Sequence, residues 1–340
     1  MHFVILNCEL TEFRFNPLQE LTSLAKTGDG PSIMYFPALD RSKISDPIPT
    51  QFPAGFPFNA AMCAIALDSE NAEIIYSAGC GPSQAVANFV AEMEAVERYS
   101  IVYSPQHAPS FVPIMVGGGP AEAMPQERLT LRSPGYKNSS KGTAASTTIA
   151  DAAQRALLEL VEHLFVDRFF ERADGFAALD LSMIPEIASH AQWAKGQLRT
   201  LSCSVADLGI GCFAVICRSS DIQGSRPTYG SGAALSLGDA VISAVQEALF
   251  SWRNMIEIER NGLIKSNDPE GAHLLNEYRG AVAPRPWPLL QPFSTQQQNT
   301  EAVSTEELLQ FVARISESRV QVFDLTHAEV GLPVARAQIG

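Results

Sequence analysis

The chain has 340 residues, 46% hydrophobic and 18% charged, with 23 glycines and 22 prolines. That composition suits one large domain or two ordinary ones and excludes disordered, collagenous and coiled-coil chains. Lys and Arg total 24 against 37 Asp and Glu, a net charge of −13. This argues against nucleic acid or an anionic membrane as a partner. The N-terminal MHFVILNCELTEFRF lacks the basic region and cleavage site of a signal peptide, and no uninterrupted apolar run is long enough to span a bilayer, so the expected location is cytoplasmic.

Short runs rich in Val, Ile and Phe predict strands at residues 3–7, 61–67, 71–76, 111–115, 212–218, 319–325 and 333–338. Longer segments with apolar residues three to four apart predict helices over 83–103, 147–171, 235–260 and 305–317. Segments 104–142 and 281–300 read as loops, the first for its Gly117-Gly118-Gly119-Pro120 and Ser133-Pro134-Gly135, the second for its prolines and glutamines. The mixture predicts an α+β (mixed α/β) fold. The six cysteines form no C-x-x-C and read as reduced core thiols.

Three of the helical segments share the pattern Ala-x3-Ala-x2-Glu: Ala87, Ala91, Glu94, then Ala152, Ala156, Glu159, then Ala240, Ala244, Glu247. On a helix these positions fall on one face, so each helix presents two small residues and then a carboxylate. The first two helices add a second glutamate, Glu97 and Glu162, followed by Arg98 and His163. Apolar neighbours on most sides of Glu94 and Glu159 predict buried helices, and carboxylates there need a cation or an arginine. Mg2+ suits several converging carboxylates because it prefers oxygen ligands and joins a few of them to phosphates, while Arg98 suits a phosphate. A di-iron centre would want Glu-x-x-His pairs, and His163 follows its glutamate directly.

Gly79-Cys80-Gly81 precedes the first of these helices and Ser139-Ser140-Lys141-Gly142 the second, placing backbone amides where anions bind readily. There is no Walker A match. Together these features predict a nucleotide phosphate and Mg2+ site outside the common nucleotide-binding folds.

GCGPSQAVANFVAEMEAVERYS, residues 79–100, resembles the first signature block of the YcaO family, with its E-x-x-E-R-Y ending. SSKGTAASTTIADAAQRALLELVEHL (139–164), GSGAALSLGDAVISAVQEALFSW (230–252) and VQVFDLTHAEVGLPVARAQIG (320–340) are similar to the second, third and C-terminal blocks. The second block departs from the family pattern at Ala144, Ser146, Thr147, Asp151, Arg155 and His163, and the first at Cys80 and Val90.

The resemblance implies a YcaO-like catalytic domain over residues 61–340, with residues 1–60 as an N-terminal segment for partner docking. It implies ATP and Mg2+ as cofactors and cyclodehydration of a ribosomally made precursor peptide: a Cys, Ser or Thr side chain attacks the preceding amide, whose oxygen ATP phosphorylates, leaving a thiazoline or oxazoline. Thioamide formation, or a non-catalytic role as a partner subunit, are the other readings of the same resemblance. By the same resemblance Glu94, Glu97, Glu159 and Glu162 are catalytic and hold the metal. Arg98, Gly79, Gly81, Ser140, Lys141, Gly142, Thr147, Asp151, Arg155 and Glu247 form the cofactor set. Gly340 closes the fourth block where many members continue into a tail aimed at the active site, and joins the catalytic candidates. The implied partners are the precursor peptide, an E1-like or other leader-binding protein and a flavin-dependent dehydrogenase, in a homodimer or hetero-complex.

Overall fold

The computed structural model describes residues 42–50, 55–66, 74–102, 110–131, 140–261, 269–294 and 303–340. The strand expected at 3–7, Cys8, Ser139 and most of the 1–60 segment lie outside the described residues. In the first sheet β1 (Ile48–Pro49) pairs with β2 (Asn59–Ala66), which pairs with β3 (Ile74–Gly81), and Ile44 bridges to Ile65 and is fully buried, while Phe56 and Phe58 pack against Trp193 and His190.

The long helices fall where periodicity placed them. α1 (Gln84–Ile101) starts at Ser83, whose side chain caps Val86 N–H. α3 (Ile149–Glu171) starts at Thr148 in the same way, and α5 (Leu237–Asn261) follows Ser236. α7 (Thr305–Ser316) opens with a full capping box between Ser304 and Glu307.

The strand expected at 111–115 is met by β4 (Ser110–Phe111) and β5 (Pro113–Gly117), while the rest of the expected loop 104–142 carries β6 (Met124–Pro125) and the single turn α2 (Gln126–Leu129) in its described parts. Glycine and proline bound these strands rather than dissolve them: β5 lies at the edge of a sheet, where a proline costs no ladder bond. The described part of 281–300 is largely extended and is tied to the fold by the Pro292–Ala178 bridge, by Trp287 against Phe169 and Tyr229, and by Arg285 N–H donating to Glu277.

Besides the two-stranded pairing of β4 with β6, two four-stranded antiparallel sheets complete the fold in the described residues. One has the order β11-β10-β9-β8, formed by β8 (Ala177–Leu179), β9 (Arg199–Asp207), β10 (Phe213–Asp221) and β11 (Thr228–Ala234). The other has the order β5-β12-β13-β7, with β7 (Thr143–Ala145), β12 (Val320–Asp324) and β13 (Val334–Ile339). Both are covered on two faces. In β10, Phe213, Val215 and Cys217 pack under α5 while Ala214 and Ile216 meet α3, which is why the strand reads as a continuous apolar run. Val320, Val322, Ala335 and Ala337 likewise face α3 and α7, and Phe323 and Val334 face α1. The helices α4 (Ala188–Gly196) and α6 (Pro269–Tyr278) lie at the periphery. Antiparallel sheets layered with helices are the expected α+β class. The described cysteines are free thiols: Cys63, Cys203, Cys212 and Cys217 are buried and Cys80 is half-buried.

Candidate active site

The repeated Ala-x3-Ala-x2-Glu pattern belongs to three strand-helix arms: β3 with α1, β7 with α3, and β11 with α5. In each, a strand N–H sixteen residues upstream donates to the glutamate. Ala78 N–H reaches Glu94 Oε2 at 2.9 Å, Ser231 N–H reaches Glu247 Oε2 at 2.5 Å, and Thr143 N–H bonds Glu159. The six alanines of the pattern are fully buried, because these faces lie directly on the strands or the neighbouring core.

The glycines upstream make that contact close enough. A Cβ on Gly79 would lie 2.2 Å from Ala91 N, and one on Gly232 would lie 2.6 Å from Ala240 O. Gly79 and Gly81 sit in the β2–β3 ladder, opposite Ala61 and Asn59. They serve strand-helix approach, and the loop between them and α1 is only Pro82-Ser83. Gly142 has φ of +74° and its Cβ position is filled by Ala337 O, so this turn into β7 requires glycine.

The arms gather five carboxylates whose charges oppose one another. Enclosure by protein pushes Glu97 and Glu159 well above the ordinary carboxylate range; Glu159 adds to the rise at Glu97, and Glu162 and Glu94 to that at Glu159. Arg98 is paired with Glu94, with Nε at 2.9 Å and Nη2 at 2.6 Å. Arg336 of β13 is the residue that motif reasoning missed. It is 2% exposed, donates to Leu129 O at 2.6 Å and sets its charge against Glu159 and Glu97, although burial brings its pKa down to about 10. The only sequence signal was a single arginine inside the apolar strand VARAQI. His163 Nε2 lies 3.6 Å from Glu159 Oε1, and burial lowers its pKa below the ordinary imidazole value.

Burial raises Glu247 to about 8, with the Glu162 charge adding to the rise. The folded state therefore holds a proton that the unfolded chain releases above its value of 4.5. The associated stability is full at acid pH and is lost as pH climbs through about 8. We expect the melting temperature of the ligand-free protein to fall between pH 5 and 8, and that slope to flatten in Glu247→Gln; an unchanged slope in the variant would place the titration elsewhere.

A cavity of about 530 Å³ opens beside the carboxylates. Glu162, Glu247 and Ser231 form its polar end, and Phe250, Met255 and Leu274 its apolar wall. Arg155 also lines it, from an exposed position on α3. Among the described residues, no three His, Cys, Asp or Glu side chains converge as a ready-made metal cage. The donor set nevertheless fits a nucleotide-bound Mg2+, which takes only one or two carboxylates and completes its octahedron with phosphates and water. Glu247, fixed by Ser231 N–H and lifted by burial and then by the Glu162 charge, suits a cation at the cavity's polar end.

The remaining candidates sit apart from this cluster. Asp151 accepts from the Thr148 hydroxyl at 2.7 Å and completes the α3 cap; Thr147 precedes that cap and is exposed. Ser140 is exposed, and Lys141 Nζ lies 3.4 Å from Asp167 Oδ2. Gly340 is exposed at the end of β13, donating its N–H to Arg319 O at 2.8 Å. Cys80 lines the cavity, but burial and the Glu94 charge push its thiol up, which disfavours the nucleophilic thiolate.

Antiparallel sheets carrying three helices, each fastened through a glutamate to its own strand around one cavity, define an α+β protein with a carboxylate-lined site. A family model described as YcaO cyclodehydratase, ATP- and Mg2+-binding, matches residues 119–339, and the chain belongs to this YcaO family. ATP and Mg2+ are the cofactors that the resemblance implied. The match begins beyond α1, so Glu94 and Glu97 stand outside it.

The fold is similar to that of YcaO from Methanopyrus kandleri bound with AMPPCP and Mg2+, with a TM-score of 0.66 and 17% identity over 96% of this chain and 90% of that one. It is also similar to a heterocyclase in complex with substrate and cofactor, with a TM-score of 0.65 and 18% identity over 87% of this chain; the match spans 49% of the heterocyclase. The E. coli microcin synthetase McbBCD complex gives a TM-score of 0.61 at 11% identity, over 86% of this chain and 87% of that one. No curated protein matches the chain. Among the described residues, no helix is long and apolar enough to cross a membrane.

Proposed function

We propose that the chain is an ATP- and Mg2+-dependent peptide cyclodehydratase, acting on Cys, Ser or Thr residues of a ribosomally made precursor. The observation that carries this reading is the set of strand-clasped glutamates, Glu94, Glu159 and Glu247, near enough to Glu97 and Glu162 for their charges to oppose, with Glu162 and Glu247 lining the cavity. Mg2+ and ATP, when bound, supply a phosphoryl group that turns the amide oxygen into a leaving group.

The chain's own residues do the rest by position. Glu94, Glu97, Glu159 and Glu162 are the carboxylates from which a nucleotide-bound cation would take its one or two protein ligands. Arg98 fixes Glu94 and presents its fork of donors to a phosphate. Arg336 offsets the charge of Glu97 and Glu159 from beneath, so the site tolerates several carboxylates before a cation arrives. The apolar wall of Phe250, Met255 and Leu274 excludes water from one side of the cavity. Partner subunits that deliver the precursor, E1-like or otherwise, are part of this reading, as are a flavin-dependent dehydrogenase acting afterwards and cytoplasmic location.

Calorimetry with AMPPCP and Mg2+ is expected to give a saturable isotherm that Glu94→Gln weakens. Intact mass of a precursor peptide encoded beside this chain, after co-expression, is expected to show loss of one water per modified residue. Oxygen-for-sulfur exchange instead means thioamidation. No mass change together with no nucleotide isotherm replaces the enzymatic reading by that of a non-catalytic partner subunit.

A further inference from the structure

The three arms are related position by position: Ala78, Thr143 and Ser231 are the clasping strand residues, and Glu97, Glu162 and Phe250 lie three residues beyond the clasped glutamates. Ser231 does more than clasp Glu247. Its hydroxyl donates to Glu162 Oε1 at 2.5 Å, so the strand of the third arm fastens the second glutamate of the second arm. Ser231 is only 4% exposed, and β11 packs against α3 to make this reach.

One arm earlier, the counterpart of Ser231 is Thr143 and the counterpart of Glu162 is Glu97. β7 packs against α1 as β11 packs against α3. Thr143 is 0% exposed, and among the described residues its Oγ1 has no hydrogen-bond partner. A buried hydroxyl left unpaired is costly and calls for a physical reason. Glu97 lies close enough to Glu159 to feel its charge, and Glu159 is held by Thr143 N–H, so the three residues converge. At the third seam the counterparts are Ala78 and Phe250, which have no polar group to exchange, and both line the cavity.

Resting on the Mg2+-nucleotide reading above, we propose that Thr143 and Ser231 are equivalent positioning residues. Each hydroxyl aims the second glutamate of the neighbouring arm at the cation: Ser231 aims Glu162, and Thr143 aims Glu97 when the metal is loaded. The Ala78–Phe250 seam, having no such pair, is where the ring of arms stays open.

The test compares wild type with Ser231→Ala, Thr143→Val and Thr143→Ser by calorimetric titration of Mg2+ in the presence of AMPPCP. Apparent Mg2+ affinity is expected to fall about 10–100-fold in Ser231→Ala and Thr143→Val, the range for removing a partner that orients a metal ligand, and to be retained in Thr143→Ser. Unchanged affinity in Thr143→Val, or equal loss in Thr143→Val and Thr143→Ser, overturns the proposal. A double-mutant cycle of Ser231→Ala with Glu162→Gln, read by unfolding without ligand, is expected to be non-additive; additivity overturns the Ser231 half. Wild type that binds no AMPPCP with Mg2+ refutes the nucleotide reading instead, and the ligand-free cycle still decides whether the Ser231–Glu162 fastening exists.

Discussion

Glu159→Gln is expected to lose about 100-fold or more of precursor-dependent ATP turnover, the scale associated with removing one preorganised electrostatic contact to a transition state. Its melting temperature should nonetheless hold or rise. The glutamine oxygen still accepts Thr143 N–H, and the substitution removes a carboxylate that burial and the Glu162 charge both disfavour. Opposite signs for activity and stability mark a residue kept for function rather than for folding. Turnover assays beside thermal melts at one pH settle the point: retained turnover removes Glu159 from the site, and parallel loss of both quantities makes it structural.

Gly79→Ala should destabilise the fold by about 3 kcal/mol or more, at the upper end for overpacking a close contact. The new methyl would sit 2.2 Å from Ala91 N and 2.5 Å from Ala87 O, and both are backbone atoms of α1 that no rotamer change can move. The helix has to lift off β3, which also breaks the Ala78–Glu94 clasp. Gly196→Ala is the control, since its Cβ position has nothing within 4 Å. Denaturant unfolding of the two variants should separate them widely; a small shift for Gly79→Ala would mean that the strand and helix are less tightly fixed than their geometry requires.

The long helices were legible because each is amphipathic or apolar over several turns and begins at a serine or threonine cap. The repeated alanines and glutamates were legible as a pattern, and the structure supplies its cause: small faces admit close strand contact, and that contact brings a backbone N–H to the carboxylate. β11 was hidden for a physical reason. β11, TYGSGAA, has little β-branched bulk, and its strand geometry comes from pairing with β10 and from the space that Gly230 and Gly232 leave for α5. The glycines before α1 were read as anion-binding amides, a role that pattern alone cannot distinguish from close packing; β3 places Gly79 and Gly81 against the helix backbone. Arg336 carried no spacing signal, since its meaning depends on β13 passing beneath two helices far away in sequence.

Each clasped glutamate is held by a main-chain N–H, to which Arg98 adds a second hold on Glu94 and the Ser231 hydroxyl one on Glu247, so its position is inherited in large part from the backbone. Phe250 and Leu274, on the apolar wall, take no part in those clasps. On the proposed reading, the molecule separates two properties that many enzymes entangle: the chemistry is written in the skeleton, and the choice of guest is written in replaceable upholstery. Natural or laboratory variation could redirect one without rebuilding the other.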